Sequence, residues 1–213
     1  MAQTSEMIVA FFVGALSSSA VALLYERSTQ PDLDIIPDYN ERSQGQITGN
    51  PPHEFYHVVV INKPGSRLVR IRRPAWSTSA MISVKDDKNQ RFIKDVTARW
   101  TSQPEPHIPF LYQNQIVNII DPARIVYSSR VDVHSHTDQH LPIILKYEGE
   151  KECYIFSNAS YGHNMWKKPE WMIPPGVYTI EVRLNYDGGP RTFSIDLENT
   201  GISRDDVKLV LKK

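Results

Sequence analysis

The chain has 213 residues, in which 24 lysines and arginines balance 24 aspartates and glutamates, and it contains one cysteine. A chain of this length can bury a substantial core without disulfides or a structural metal, and a single cysteine excludes a disulfide framework within the chain. The balanced charge provides no overall field for nucleic acid, so we expect no nucleic-acid partner.

The N-terminal part of the chain contains an uncharged, mainly apolar run over residues 7–25. A helix needs about 20 such residues to cross the hydrocarbon core of a bilayer. We therefore predict a single membrane-spanning helix over residues 7–27, in contact with membrane lipid. A cleavable signal peptide is the alternative, since residues 20–22 have the small-x-small form of a cleavage site. No lysine or arginine precedes the run, however, and this favours the anchor.

Two features of the predicted helix bear on topology and assembly. The nearest basic residues, Arg27 and Arg42, both follow the apolar run, which favours a cytoplasmic C-terminal domain and leaves the extracytoplasmic orientation as the alternative. Small residues recur every four positions and line one stripe of the helix, which predicts helix–helix packing and a homo-oligomer; the alternative is that small residues are simply common in membrane helices. The stripe consists of Ala10, Gly14, Ser18 and Ala22.

The distribution of polar and apolar residues divides the chain into four regions. Asparagine, glycine and proline are frequent between Asp38 and Pro52, which predicts a loop after a first strand. The four regions are a short tail over residues 1–6, the helix over 7–27, a first strand and polar linker over 28–53, and a β-sandwich domain over 54–213.

Short runs of β-branched and aromatic residues separated by turn residues are typical of antiparallel sandwiches and barrels. The ten clearest runs cover residues 55–61, 68–71, 76–84, 92–100, 116–120, 143–147, 153–156, 177–186, 192–197 and 207–211. They predict an all-β, antiparallel sandwich of about ten strands that follows the transmembrane helix. The runs over residues 177–186 and 192–197 alternate apolar and polar residues on either side of a turn at residues 187–189. This pattern predicts a hairpin with one buried face.

Two segments carry a resemblance to immunoglobulin-like sandwiches. Residues 31–36 and 57–65 resemble the first two strands of bacterial adhesion-related immunoglobulin-like domains. Residues 173–178 resemble the start of the penultimate strand of such sandwiches, and this resemblance implies that Tyr178 is a corner tyrosine. It also implies an immunoglobulin-like fold. Because no flexible linker divides Trp100 from Ile143, one elaborated sandwich is favoured over two tandem modules.

The densest polar cluster lies between residues 132 and 140. In an extended segment His134 and His136 project to the same face, and Asp138 or His140 could complete a zinc-like site from the following turn. This pattern predicts a metal-binding sensor or a metal-dependent enzyme as one alternative function. A solvated loop is the other interpretation of the same residues.

A second candidate is the segment from residue 161 to residue 172, which has more large side chains than a loop requires. Aromatic side chains and methionine are enriched at protein interfaces. Tyr161, Met165, Trp166 and Trp171 are therefore the predicted partner-binding residues. The same rings could instead plug the end of the sandwich.

No catalytic motif is present: the chain lacks a Gly-x-Ser-x-Gly elbow and a glycine-rich phosphate loop, and Cys153 lies in an apolar run typical of a buried side chain. We therefore expect no enzyme and no cofactor. The preferred prediction is a non-enzymatic, single-pass membrane-tethered interaction or structural protein with a protein partner or a second copy. An extracytoplasmic adhesion or carbohydrate-binding module is a further alternative, implied by the resemblance.

Overall fold

The computed structural model describes residues 18–43, 51–65, 72–88, 90–113, 115–127 and 129–212. Within these ranges the chain is mainly antiparallel β-structure, which confirms the predicted all-β class. The strands form two large sheets and one separate hairpin. Each large sheet combines strands from both halves of the chain, so one elaborated sandwich is present and not two modules.

The first large sheet has five strands. They are β1 (Leu33–Ser43), β2 (His53–Asn62), β8 (Gln139–Tyr147), β9 (Cys153–Ile155) and β10 (Met172–Ile173). Their spatial order is β1-β2-β8-β9-β10, and every neighbouring pair is antiparallel. Residues 141–147 of the central strand β8 are all buried, as expected for a strand that is covered on both faces.

The second large sheet has a path of five strands and a sixth strand beside it. They are β3 (Ala75–Lys85), β4 (Arg91–Thr97), β7 (Arg130–Val133), β11 (Gly176–Tyr186), β12 (Gly189–Asn199) and β13 (Val207–Leu211). The path is β13-β12-β11-β3-β4, and β7 pairs with β3. The tight β11–β12 connection includes Gly189 at φ 99°, a conformation that glycine adopts without strain.

The remaining elements lie outside these two sheets. The strands β5 (His107–Tyr112) and β6 (Gln115–Ile120) pair only with each other in a two-stranded hairpin. Helix α1 is described over residues 18–29, and α2 (Pro122–Tyr127) follows the hairpin. Three short 3-10 helices between β9 and β10 cover Asn158–Gly162, Asn164–Trp166 and Pro169–Trp171.

The main core lies between the two large sheets. Val58 and Ile143 contribute from the five-stranded sheet, and Ile82 and Ile180 contribute from the other, all of them fully buried. Trp100 is the largest fully buried side chain of the described residues, and its Nε1 donates to the Ser129 carbonyl at 3.2 Å. Full burial of an aliphatic side chain such as Ile143 contributes about 1.5–3 kcal/mol to the stability of the fold. The core therefore stabilises the packing of the two sheets against each other.

Nine of the ten predicted strands are confirmed, and the tenth, residues 68–71, lies outside the described residues. Two details differ from the predictions. Strand β1 continues to Ser43, six residues into the predicted loop, because an edge strand with one free side accommodates polar residues. The described residues also contain 13 strands, which is more than the predicted number of about ten. The sequence did not predict β5, β7 and β10, because β7 and β10 are short and Pro109 interrupts β5, so that all three carry weak strand patterns.

The predicted anchor falls mostly outside the described residues. Residues 7–17 are not among them, and neither are Ala10 and Gly14 of the predicted helix-packing stripe. The other two stripe residues, Ser18 and Ala22, lie in α1 with exposed side chains. In the part of the chain that the structure covers, no helix combines the length and the apolar character needed to cross a membrane.

Candidate functional site

A second apolar cluster covers the outer face of the five-stranded sheet. The pairing of β8 with β2 is irregular at Ile143, so that both Ile143 and Ile144 belong to the main core; beyond this point side chains alternate, and Leu145 and Tyr147 lie on the opposite face. The segment from residue 156 to residue 171, here called the aromatic segment, packs over that face. The buried members are Leu145, Tyr147, Tyr154, Phe156 and Tyr161, and Phe55, Met165 and Trp166 pack against them.

Local contacts hold the aromatic segment in place. The Ser157 side chain caps the first 3-10 helix by accepting from the Ala159 amide at 3.2 Å. The Tyr147 hydroxyl donates to the Met165 carbonyl. Met165 and Trp166 both have left-handed backbone angles, φ 53° and 56°, which are rare for large side chains and cost on the order of 1–3 kcal/mol each. This unfavourable conformation sets the position of the Trp166 ring.

The aromatic segment, the sheet and the loop after β4 enclose a cavity of about 320 Å³. This volume lies at the lower end of the range for ligand cavities. The apolar part of the wall consists of Phe55, Pro142, Phe156, Tyr161 and Trp166. The polar part consists of Glu41, His57, Arg99, Thr101, Glu105 and His107. The cavity therefore combines a continuous aromatic surface with a few polar groups.

Arg99 is a buried cation in the cavity wall. Its guanidinium group donates to Asn158 Oδ1 at 2.9 Å and to the carbonyls of Gln103 and Pro104 at 3.0 and 2.7 Å. It also lies 3.6 Å from Glu105 Oε1. These partners compensate for the desolvation of the charge and fix the loop that closes one side of the cavity.

Tyr161 connects this buried cation to the aromatic wall. The Arg99 guanidinium carbon lies 5.3 Å from the centre of the Tyr161 ring, within the range of a cation–π contact. The Tyr161 hydroxyl donates to Glu105, and the His107 ring packs edge-on at 5.1 Å. Burial first, and then the nearby carboxylates of Glu105 and Glu41, raise the pKa of Tyr161, so its hydroxyl remains protonated and acts as a donor.

His57 contributes an uncharged imidazole to the cavity. Burial, with a smaller effect of the neighbouring His140, lowers the pKa of His57 to about 4. The Glu41 carboxylate lies 3.8 Å from Nε2, but its side chain is 56% exposed and water screens its charge. His57 is therefore neutral near pH 7, and the pKa is too low for a general base at that pH.

No protein-family model, curated protein or solved structure matches this chain. The cavity therefore has to be interpreted from its own residues.

The predicted partner-binding residues are largely covered in this structure. Tyr161 is buried, and Met165 and Trp166 are half-buried against the outer cluster. Trp171 packs instead against the main core. Tyr161, Met165 and Trp166 thus cover the outer face of the sheet, which supplies apolar side chains for them to pack on, and partner binding by the four residues stays a prediction from sequence. Tyr161 and Trp166 still meet at one place, the cavity wall.

The structure does not bring the four predicted metal ligands together. His134 lies against Trp76, with ring centres 5.8 Å apart, while the ring of His140 lies 6.4 Å from His57 on the other side of the turn. His136 and Asp138 are exposed. Among the described residues, no three histidine, cysteine, aspartate or glutamate side chains are placed to hold a metal ion. Metal binding by this segment stays a prediction from sequence.

The polar cavity residues were not predicted from the sequence. Arg99 fell inside a predicted strand, although a charged residue between Ala98 and Trp100 was a possible signal of a special environment. Glu41 and Glu105 lie in polar stretches that carry no motif. These residues meet only because β1, β2 and the loop after β4 are adjacent in the fold.

The β5–β6 hairpin begins at the cavity, since His107 lines the wall. Beyond His107 it exposes large apolar side chains, including Phe110, Leu111 and Tyr112 at 52%, 67% and 58%. Residues 107–120 contain no charged side chain. An exposed apolar hairpin of this kind is unusual on a soluble monomer surface.

In the described part of the chain, a second buried cation lies away from the cavity. Lys146 of β8 is fully buried, and its Nζ donates to Asn199 Oδ1 and to the carbonyls of Lys151 and Gly201 at 2.8–2.9 Å. Burial lowers the pKa of Lys146. With three acceptors around its three donor hydrogens, this lysine joins two loops at the end of the sandwich and has a structural role.

Proposed function

We propose that this chain is a non-enzymatic, single-pass membrane-tethered interaction protein whose β-sandwich receives an apolar group of a protein partner in the aromatic cavity. The single observation that carries the proposal is a cavity of about 320 Å³ walled by Phe55, Phe156, Tyr161 and Trp166. Concave, mainly apolar cavities with a few polar groups are the usual form of binding sites.

The polar groups around the cavity support binding over catalysis. The Arg99 guanidinium already donates to Asn158 and to two carbonyls. His57 has a pKa of about 4 and so does not accept a proton efficiently near pH 7. The cysteine of the chain, Cys153, is buried and its pKa is raised to about 12, which disfavours the reactive thiolate.

A binding experiment with a neutral probe tests the cavity. Saturation-transfer NMR on the full chain in phosphatidylcholine nanodiscs should detect saturable binding of 2-phenylethanol. Trp166→Ala removes one wall and should weaken binding at least about fivefold, since contacts of an aromatic ring are worth about 1 kcal/mol or more. Trp171→Ala is the matched control, because Trp171 belongs to the same segment and packs against the main core. Equal losses in both variants would contradict the proposed site.

The tether is proposed from the uncharged run over residues 7–25, and its orientation from Arg27 and Arg42. Val177 is 60% exposed, so a Val177→Cys variant offers one accessible thiol, while the buried Cys153 stays unlabelled. An impermeant thiol reagent should label this variant only after lysis if the sandwich is cytoplasmic. Labelling of intact cells would instead favour the extracytoplasmic adhesion or carbohydrate-binding alternative. If the unprocessed chain is recovered in the membrane-free fraction after cell lysis, the proposed tether is contradicted.

We also propose that the sandwich is immunoglobulin-like. The order β12-β11-β3-β4 matches strands G-F-C-C′ of that fold, and β1-β2-β8 matches strands A-B-E. The ring of Tyr178 lies beside Gly176 and Phe92 near the start of β11. One departure is that β9 follows β8 in sequence, whereas strand D of the fold precedes strand E. An experimental structure without the β2–β8 and β3–β11 pairings would contradict this assignment.

A further inference from the structure

The aromatic cavity has an uneven distribution of charge. Two carboxylates, Glu41 and Glu105, and one guanidinium, Arg99, line it, which gives a net formal charge of −1 when the histidines are not counted. The Arg99 side chain is buried, and its N–H groups donate to protein acceptors. The side chains of Glu41 and Glu105 are 56% and 65% exposed. Negative charge is therefore presented at the mouth, and the positive charge lies within the wall.

Both carboxylates line the cavity together with Tyr161. Glu105 accepts the hydrogen bond of the Tyr161 hydroxyl, and the charge of Glu41 also acts on that hydroxyl. Tyr161 packs against Phe156 and Trp166, with ring centres 5.6 and 6.2 Å apart. The acidic mouth thus leads directly to the aromatic wall. A positive charge placed there would interact with the carboxylates and with the electron-rich faces of the rings.

From this geometry we propose that the ligand is an apolar body about the size of one aromatic side chain, carrying a positive charge at the end that remains at the mouth. The inference rests on the proposed binding function of the cavity and names the ligand chemistry for it. Such a group occurs in a free arylalkylamine and in a hydrophobic residue beside a basic residue of a partner protein. In both cases the apolar body contacts the rings, and the cation lies between Glu41 and Glu105.

Three compounds with the same phenethyl body test the charge. They are 2-phenylethylamine, 2-phenylethanol and 3-phenylpropanoate, which are cationic, neutral and anionic at pH 7. With the full chain in phosphatidylcholine nanodiscs at low salt, saturation-transfer NMR should give about fivefold to tenfold tighter binding of the amine than of the alcohol, and weakest binding of the propanoate. In a Glu41→Gln/Glu105→Gln variant the amine and the alcohol should bind within about twofold of each other.

The controls separate failure of this inference from failure of the proposed function. Glu170→Gln, an exposed carboxylate in the aromatic segment that does not line the cavity, should keep the preference for the amine. If the alcohol binds as tightly as the amine to the wild-type chain, the charge inference is overturned and the apolar site stands. If none of the three compounds binds, both are overturned. Should the double variant fail to fold, Glu41→Gln alone should at least halve the preference, and an unchanged preference would overturn the inference.

The source of the ligand is distinguished with short peptides. N-acetyl-Lys-Phe-Lys-amide and N-acetyl-Glu-Phe-Glu-amide carry the same apolar body with opposite charges beside it. Tighter binding of the lysine peptide than of 2-phenylethylamine supports a protein partner with a basic residue next to a hydrophobic one. Tighter binding of the free amine supports a small-molecule ligand. Preference for the glutamate peptide would overturn the inference for both sources.

Discussion

His57 should make the stability of this protein depend on pH between about 4 and 6.5. The pKa of His57 is lowered to about 4, mainly by burial, whereas a histidine in the unfolded chain has a pKa of about 6.5. Within this window the unfolded state binds more protons than the folded state. The free energy of unfolding therefore falls as the pH decreases, by about 1.4 kcal/mol per pH unit. Above pH 6.5 the residue is neutral in both states and contributes no pH dependence.

The window is about 2.5 pH units wide, so the total loss attributable to His57 is about 3 kcal/mol. That is a large fraction of the 5–15 kcal/mol by which domains are usually stable. The measurement is urea unfolding of the full chain in a nonionic detergent, followed by tryptophan fluorescence at several pH values. His57→Gln removes the titrating group and should flatten the decline by about this amount.

His134→Gln is the matched control, because His134 is exposed, whereas His57 is buried. It should follow the wild-type pH dependence. Wild type and His57→Gln share all other titratable groups, so the difference between these two curves isolates His57. Curves for wild type and His57→Gln that decline in parallel from pH 6.5 to pH 4 would refute the conclusion that His57 is buried and neutral.

Three further predictions concern other parts of the fold. Lys146→Ala should lower the free energy of unfolding by at least about 2 kcal/mol, since it removes the Nζ donor from Asn199 Oδ1 and from the Gly201 carbonyl, while the Lys151 carbonyl keeps Asn199 Nδ2 as a donor; Lys151→Ala should change it by less than about 0.5 kcal/mol in the same urea titration. Tyr161→Phe should cost about 1 kcal/mol through loss of its hydrogen bond to a carboxylate, and an unchanged unfolding midpoint would contradict that bond. On the exposed hairpin Leu111→Ser should be nearly neutral in thermal melts, while Leu141→Ala in the core should cost about 2–5 kcal/mol; a large effect of Leu111→Ser would mean that the hairpin is covered.

The strands of the sandwich were predictable because each is encoded locally. In β11, Ile180, Val182 and Leu184 point into the core at every second position, and that alternation is visible in the sequence without any knowledge of the partners of the strand. The β11–β12 hairpin was equally predictable, since a turn with Gly189 connects two such strands. One strand that the sequence did not predict, β7, has only four residues and depends on pairing with β3.

The cavity was not predictable by the same reasoning, because its residues meet through long-range packing. Glu41 and Trp166 are separated by most of the chain, and neither has a neighbour in sequence that shares the cavity. The sequence did identify the aromatic segment as unusual. It could not determine whether Tyr161 points to solvent or to the sheet, because that depends on the outer face of β8 carrying apolar residues such as Leu145 and Tyr147. In the sequence, β8 is visible only as a mainly apolar stretch that contains Lys146, and the stretch does not indicate which face each side chain occupies.

The two sequence-based interpretations of the aromatic segment, a partner-binding surface and a plug for the sandwich, differ in what they require of the packing. A plug is most stable when its rings fill the available volume, since protein interiors are close-packed and voids cost free energy. Here the rings cover the sheet and still leave about 320 Å³ beside Phe55, Tyr161 and Trp166, and the chain adopts left-handed angles at Met165 and Trp166 to place them. The cavity and the left-handed backbone angles both lower the stability of the fold, and neither improves the packing of the rings over the sheet. A binding role gives a reason for both, because the rings must then remain accessible from the side where Glu41 and Glu105 form the mouth.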